Sequence, residues 1–204
     1  DVAIAEGKKH KKCNENQEPL KSQVKLYHKE GGGLNASSRT AWCTSFVNWC
    51  LKESGHFYAK IAGSVAISYN NKYIKIDKPI YGALCVFKNY RQSNDTPCGH
   101  GHVTFFYGKS KDGRLILLGG NQGDRIKLSY YKETEISNSF CGDEHGCVNQ
   151  KFHGYYLPKD YIINDSDNLS EMDIYEVYNN NDLDKLNNEI LDANTKTIDN
   201  ERTF

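Results

Sequence analysis

Thr40-Ala41-Trp42-Cys43-Thr44-Ser45-Phe46-Val47-Asn48-Trp49-Cys50-Leu51 is the stretch whose reading decides the fold. Its spacing predicts an apolar helix with a cysteine on the first turn. Trp42, Phe46, Trp49 and Cys50 recur at helical intervals, Thr40 is a capping-type residue before them, and Gly55 follows Lys52-Glu53-Ser54 as a stop. The first N–H groups of a helix have no intrahelical partner and the macrodipole is positive there. A cysteine in that position is favoured as the thiolate and can attack a carbonyl. The same residues also describe a core helix with two buried cysteines, because free cysteine is among the most buried residue types. A partner base decides between the two readings.

The candidate base lies downstream. His102-Val103-Thr104-Phe105-Phe106-Tyr107 is rich in strand formers, Lys109-Ser110-Lys111-Asp112-Gly113 is a turn, and Leu115-Ile116-Leu117-Leu118 is a second strand. Folding this hairpin about Lys111 and Asp112 brings position 102 opposite position 121, or within a two-residue slip of it. His102 and Asn121 are then neighbours, and an imidazole beside an amide is the base-plus-orienter half of a cysteine hydrolase site. Taken singly, His102 also reads as a structural histidine at a strand edge, and Asn121 in Gly119-Gly120-Asn121-Gln122-Gly123 as a turn residue.

Around these segments the pattern is mixed. Residues 1 to 30 suggest two short helices on either side of Pro19, and Gly31-Gly32-Gly33 a loop into the Cys43 helix. Residues 62 to 69 are small and weakly helical, Tyr73-Ile74-Lys75-Ile76 reads as a short strand, and Ala83-Leu84-Cys85-Val86-Phe87 as another after a turn at Gly82. No apolar run reaches the span of a bilayer, so the chain reads as soluble with no membrane insertion. Asp1-Val2-Ala3-Ile4-Ala5 lacks the basic start and long apolar stretch of a signal peptide.

A formal charge of zero hides a split. Residues 1 to 164 hold 23 Lys+Arg against 15 Asp+Glu, and residues 165 to 204 hold 3 against 11, so the body is +8 and the tail −8. A basic body is drawn to anionic polymers, either nucleic acid or cell wall. The basic residues are scattered apart from Lys8-Lys9-His10-Lys11-Lys12, and no established nucleic-acid motif is present, so nucleic acid is not expected as a partner. Seven cysteines without a CxxC pair argue against a zinc ribbon or a thioredoxin-type site and point to an oxidising compartment.

Cys141 and Cys147 bracket a short loop with glycine at both shoulders, which allows a bridge between them; a metal-binding loop with His145 is the rival reading. Cys50 and Cys85 read as buried free thiols. Cys13 and Cys98, in polar loops, are candidates to pair with each other.

Taken together, Trp42-Cys43-x-x-Phe46-Val47-Asn48-Trp49-Cys50-Leu51, Gly82-Ala83-Leu84-Cys85-Val86-Phe87, Gly101-His102-Val103 and Leu118-Gly119-Gly120-Asn121-Gln122-Gly123-Asp124 resemble the CHAP family of cysteine- and histidine-dependent amidohydrolases and peptidases. This papain-like, NlpC-related family includes phage lysins and bacterial wall-degrading proteins, and the resemblance runs from about residue 2 to 160. It implies an α+β fold, with N-terminal helices carrying the cysteine packed on an antiparallel sheet carrying the histidine. It implies hydrolysis of amide bonds in the peptidoglycan peptide stem, with no metal or other cofactor. Carried over by position, Cys43 is the nucleophile, His102 the base and then the acid, and Asn121 the group that holds the imidazole. Some members place an acidic residue two positions before this Asn, where this chain has Gly119, and Gly or Ala often follows His-Val, where it has Thr104.

The hydrolase domain is thus expected at 1–163. Residues 164–204 are an acidic, Asn/Asp-rich tail, expected to be flexible or loosely helical through Leu183, Leu186, Ile190 and Leu191. The reading that follows is a cysteine amidase or endopeptidase, secreted and acting in the periplasm or at the wall of a target bacterium. An antibacterial effector would have an immunity protein and a secretion machinery as partners; a phage-type lysin and a wall-remodelling hydrolase use the same chemistry. A general cysteine protease and a catalytically dead wall-binding module stay open as other classes.

Overall fold

Three α-helices precede the sheet, with a π-helical turn, His28–Gly32, reaching into the expected Gly31-Gly32-Gly33 loop. In the computed structural model, which describes residues 1–143, 146–170 and 173–192, these are α1 (Val2–His10), α2 (Leu20–Tyr27) and α3 (Cys43–Glu53). The expected break at Pro19 separates the first two. The cap of α3 differs from expectation. Thr40 lies too early, and the N-cap position is Trp42, whose side chain makes no capping bond. Trp42 is a packing anchor instead. Its Nε1 donates to Glu15 Oε2 at 2.8 Å, and its ring stacks on Tyr27 and meets Phe46 edge-on. At the other end Gly55 takes the left-handed backbone, φ +78°, that closes a helix.

After a short 3₁₀ segment, Ser64–Tyr69, come the strands β1 (Tyr73–Ile76), β2 (Leu84–Arg91), β3 (Pro97–Ser110), β4 (Leu115–Gly119), β5 (Lys127–Tyr131), β6 (Asn138–Asp143), β7 (Gly146–Pro158) and β8 (Ile174–Tyr175). They form one sheet in the order β1-β7-β2-β3-β4-β5, with β6 added to β7 and β8 to β3. Every pairing is antiparallel except β8 with β3.

The central strands are covered on both faces, which is why Leu84–Phe87 and Leu115–Leu118 read as unbroken apolar runs. With a side-chain period of two, Leu84, Val86 and Val103 turn to one face and pack on Cys43, Val47 and Leu51 of α3. Cys85, Phe87, Phe106, Leu115 and Leu117 turn to the other. Phe46 and Val47 are fully buried, each contributing about 1.5–3 kcal/mol by transfer out of water. The α3 helix is thereby fixed on the strand that carries His102. This is the α+β arrangement implied for a papain-like hydrolase.

The acidic segment is not loose along its described length. β8 pairs with β3, and α4 (Asn180–Ile190) puts Leu183 and Leu186 into the core beside Ile126 and Leu128. The Asn187 amide brackets the β5 backbone, accepting from Leu128 N–H at 2.7 Å and donating to Leu128 O at 2.9 Å. Leu191 is so close to α1 that a side chain at Gly7 would meet it at 2.9 Å. The few apolar residues of this segment are the ones that dock, and residues 193–204 lie outside the described residues.

Cys141 and Cys147 form a disulfide. The metal-loop alternative with His145 falls outside the described residues. Cys50 and Cys85 are buried free thiols as expected, but Cys13 and Cys98 are both free rather than paired. Among the described residues, no helix is long and apolar enough to cross a membrane.

Candidate active site

Cys43 is the first residue of α3, where the backbone N–H groups have no partner within the helix. Its thiol lies at the junction of helix and sheet, and the residue is only 5% exposed. Burial alone would push the pKa up. It is nevertheless held below the ordinary thiol value of 9.0, because the charge of the His102 imidazole attracts the thiolate and the ring lies within hydrogen-bonding reach. The Val103 N–H and the Thr44 hydroxyl add smaller contributions. At Cys50 and Cys85 the opposing charges, the N-terminus and Lys109 respectively, are too weak, and burial pushes both thiols well above 9.0. Electrostatics thus separates three cysteines that read alike by burial.

His102 comes from β3, opposite Phe87 of β2, and is 8% exposed. Its pairing with β2 fixes its backbone while its ring reaches the start of α3. A thiol and an imidazole so placed are a nucleophile and its base. His100, two residues earlier, turns its Nδ1 to the Cys98 carbonyl at 3.2 Å.

Asn121 lies just past the end of β4. Continuing the β3–β4 register from Phe105 opposite Leu118 puts it across from His102, as the hairpin predicts. Its backbone is left-handed, φ +57°, a conformation that Asn adopts more readily than most residues. A side chain at Gly120 would meet the Trp42 ring at 2.4 Å and Phe46 at 2.8 Å, so this loop lies directly on the residues flanking the thiol. No hydrogen bond joins the Asn121 amide to the imidazole: His102 Nε2 is buried without a hydrogen-bond partner among the described residues.

A family model described as CHAP domain matches residues 35–121. The chain carries a CHAP domain. The matched stretch contains Cys43 and His102 and ends on Asn121, so it spans the geometry just described. A CHAP domain is papain-like and belongs to hydrolases that act on peptidoglycan. No curated protein and no solved structure matches the chain.

Two departures of this CHAP domain turn out to be one packing event. A side chain at Gly119 would meet Thr104 Cγ2 at 2.7 Å and Gln122 Nε2 at 3.3 Å. Thr104 therefore occupies the room that an acidic residue at 119 would need.

The sequence did not show what flanks the imidazole. The Tyr131 ring tilts against that of His102 with centroids 5.9 Å apart, and its hydroxyl donates to Gln122 Oε1 at 3.1 Å. Gln122 is in turn fixed by donating its amide to the carbonyls of Leu117 and Lys127. Burial, and then the nearby Cys43 charge, raise the Tyr131 pKa, so the phenol stays protonated and keeps donating. In this CHAP domain the imidazole thus leans on a wall anchored to two strands. The one signal for it in the sequence was an aromatic residue at the end of a strand, which is too common to single out.

Proposed function

We propose that this protein hydrolyses an amide bond in the peptide stem of peptidoglycan through a Cys43 thioester. The observation that carries this is the thiol of Cys43, buried yet held below its ordinary pKa by His102. The thiolate attacks the amide carbonyl carbon, and the oxyanion accepts from the Cys43 N–H at the start of α3. The C–N bond breaks, and the imidazolium of His102 gives its proton to the departing amine. Water then attacks the thioester while His102 takes a proton from it. The C–S bond breaks, releasing a carboxylic acid and restoring the thiolate.

Asn121 is proposed as the third member, reaching the unpartnered His102 Nε2 when substrate closes the site, since catalytic hydrogen bonds in free enzymes are often long and tighten in the complex. Asn121→Ala is expected to lower turnover by about one to two orders of magnitude, less than loss of the nucleophile, because a group that only orients the base usually matters less. An unchanged rate on purified sacculi would move the role to the Tyr131–Gln122 wall.

The setting we propose is the periplasm or wall of a target bacterium, with the protein secreted as an antibacterial effector and neutralised in its producer by an immunity protein. The Cys141–Cys147 bridge supports an oxidising compartment. Mass spectrometry of sacculi digested by the protein tests the chemistry and identifies the bond; intact muropeptides after prolonged digestion would overturn it. Directing the protein to the periplasm of a test bacterium is expected to lyse it, whereas cytoplasmic expression is not, and survival in both cases would remove the effector role.

A further inference from the structure

On the Cys43 side of the sheet there is a buried lysine with no anion paired to it among the described residues. Lys88 of β2 is only 8% exposed. Its Nζ donates to the Tyr69 hydroxyl at 2.9 Å and sits 4.2 Å over that ring. Among the described residues it forms no ion pair. A charge withdrawn from water without an opposite charge is costly, and a neutral hydroxyl with an aromatic face offsets only part of that cost.

The surroundings make the deficit larger. His153, on β7, feels Lys88 and Lys75 as positive neighbours; burial first, then those two charges, hold its pKa down at about 4. The Lys75 stem reaches this place by crossing Gly154, where an added side chain would meet its Cε at 2.4 Å. No acidic group acts on His153. Three basic residues from three strands therefore converge, and what covers Lys88 is Tyr69, which is itself 74% exposed.

The position relative to the thiol follows from the register. Phe87 is opposite His102, and Lys88 is opposite Gly101. Lys88 is thus one step along β2 from the pair that holds the base, and by the alternation of the strand it turns to the opposite face from Phe87, the face on which Val86 packs on Cys43. Tyr156, on which His153 stacks, packs in the same apolar cluster as Cys43, Val86 and Val103. The Gly101 N–H donates to Ser64 Oγ at 2.9 Å, which pins the 3₁₀ segment carrying Tyr69 beside the same step.

We propose that Lys88, with Tyr69 and His153 around it, forms a subsite that takes a carboxylate of the peptide substrate next to Cys43. This rests on the peptide-hydrolase reading above and adds the charge that the substrate must carry. The carboxylate displaces the Tyr69 hydroxyl from Nζ or shares it, and completes a charge-assisted hydrogen bond in a partly dry site, where such bonds are strongest. A stem peptide offers two sources of that chemistry, the α-carboxyl of a γ-linked glutamate and the carboxyl at the peptide end.

The test uses synthetic stem peptides: one with both carboxyls free, one amidated at the glutamate and one amidated at the end. Their dissociation constants are measured on the full chain carrying Cys43→Ala, which binds without turnover, and kcat/KM on the unsubstituted protein. Amidation of one of the two carboxyls is expected to weaken binding at least about tenfold, which names the source. Adding Lys88→Met, which keeps the stem volume, is expected to bring the free peptide down to the level of the amidated one. Tyr69→Phe, which leaves Lys88 without its internal acceptor, is expected to keep or sharpen the preference.

Equal binding of all three peptides overturns the subsite without any variant having to fold. So does an equal loss on free and amidated peptides in Lys88→Met. Displacement of bound peptide by glycerol phosphate, with amidation having no effect, also overturns it in favour of a phosphate site. Cleavage without preference leaves the hydrolase reading standing and removes the subsite; preference in binding without cleavage does the reverse.

Discussion

Cys43→Ala is expected to lower amide hydrolysis of purified sacculi by at least about a thousandfold, the scale seen when a nucleophile is removed from a covalent mechanism. The argument does not depend on the thiol being reactive in general. Cys50 and Cys85 are equally buried, but burial raises their pKa with no imidazole to oppose it. Only at Cys43 does a basic ring reverse the effect of burial. The substitution exchanges a thiol for a methyl group at a site bordered by Val47, Val86 and Val103, so a thermal transition within a few degrees of the parent is expected alongside the lost activity. Retention of more than a few per cent of the hydrolysis by a folded variant would sink the assignment.

How far the site could be read in the sequence depends on which force sets each part. The α3 helix and the β3–β4 hairpin were legible because hydrophobic period and turn residues are local signals. The hairpin register put Asn121 across from His102, and the observed pairing of Phe105 with Leu118 has the register from which that expectation was drawn, though β4 itself ends at Gly119. The cap was misread for an instructive reason. Thr40 has the right chemistry for a cap, but tertiary packing put Trp42 there, held by Glu15 from a distant loop. The exchange between Gly119 and Thr104 and the Tyr131–Gln122 wall are long-range packing events with no local signature. The docking of α4 is a partial case: the spacing of Leu183, Leu186, Ile190 and Leu191 read as a loose helix, but the polar, acidic composition did not show that Leu183, Leu186 and Leu191 each find a buried place. Lys88 is a further case: within Val-Phe-Lys-Asn-Tyr it reads as a surface lysine, and only the 3₁₀ segment laid over it takes it out of water.

His102→Ala is expected to abolish hydrolysis to the same degree as Cys43→Ala, and also to change a property that a structural histidine would not govern. In the unsubstituted protein the Cys43 pKa lies below the ordinary thiol value of 9.0: burial raises it, and His102, with smaller help from the Val103 N–H and the Thr44 hydroxyl, more than offsets that. Removing the ring removes the largest of the interactions that oppose burial, so the pKa rises. The sign is therefore fixed: at pH 7 the thiolate fraction falls by about tenfold for each unit of that rise, and alkylation by iodoacetamide falls with it. Rates are to be followed by peptide mapping, since Cys13 and Cys98 are partly accessible and label in both proteins, while Cys50 and Cys85 are buried and stay silent. His100→Ala serves as the control, because that ring faces the Cys98 carbonyl, and it is expected to leave both alkylation and hydrolysis close to the parent. Equal labelling of Cys43 at pH 7 with and without His102 would mean that the imidazole does not activate the thiol, and the base would then have to be sought elsewhere.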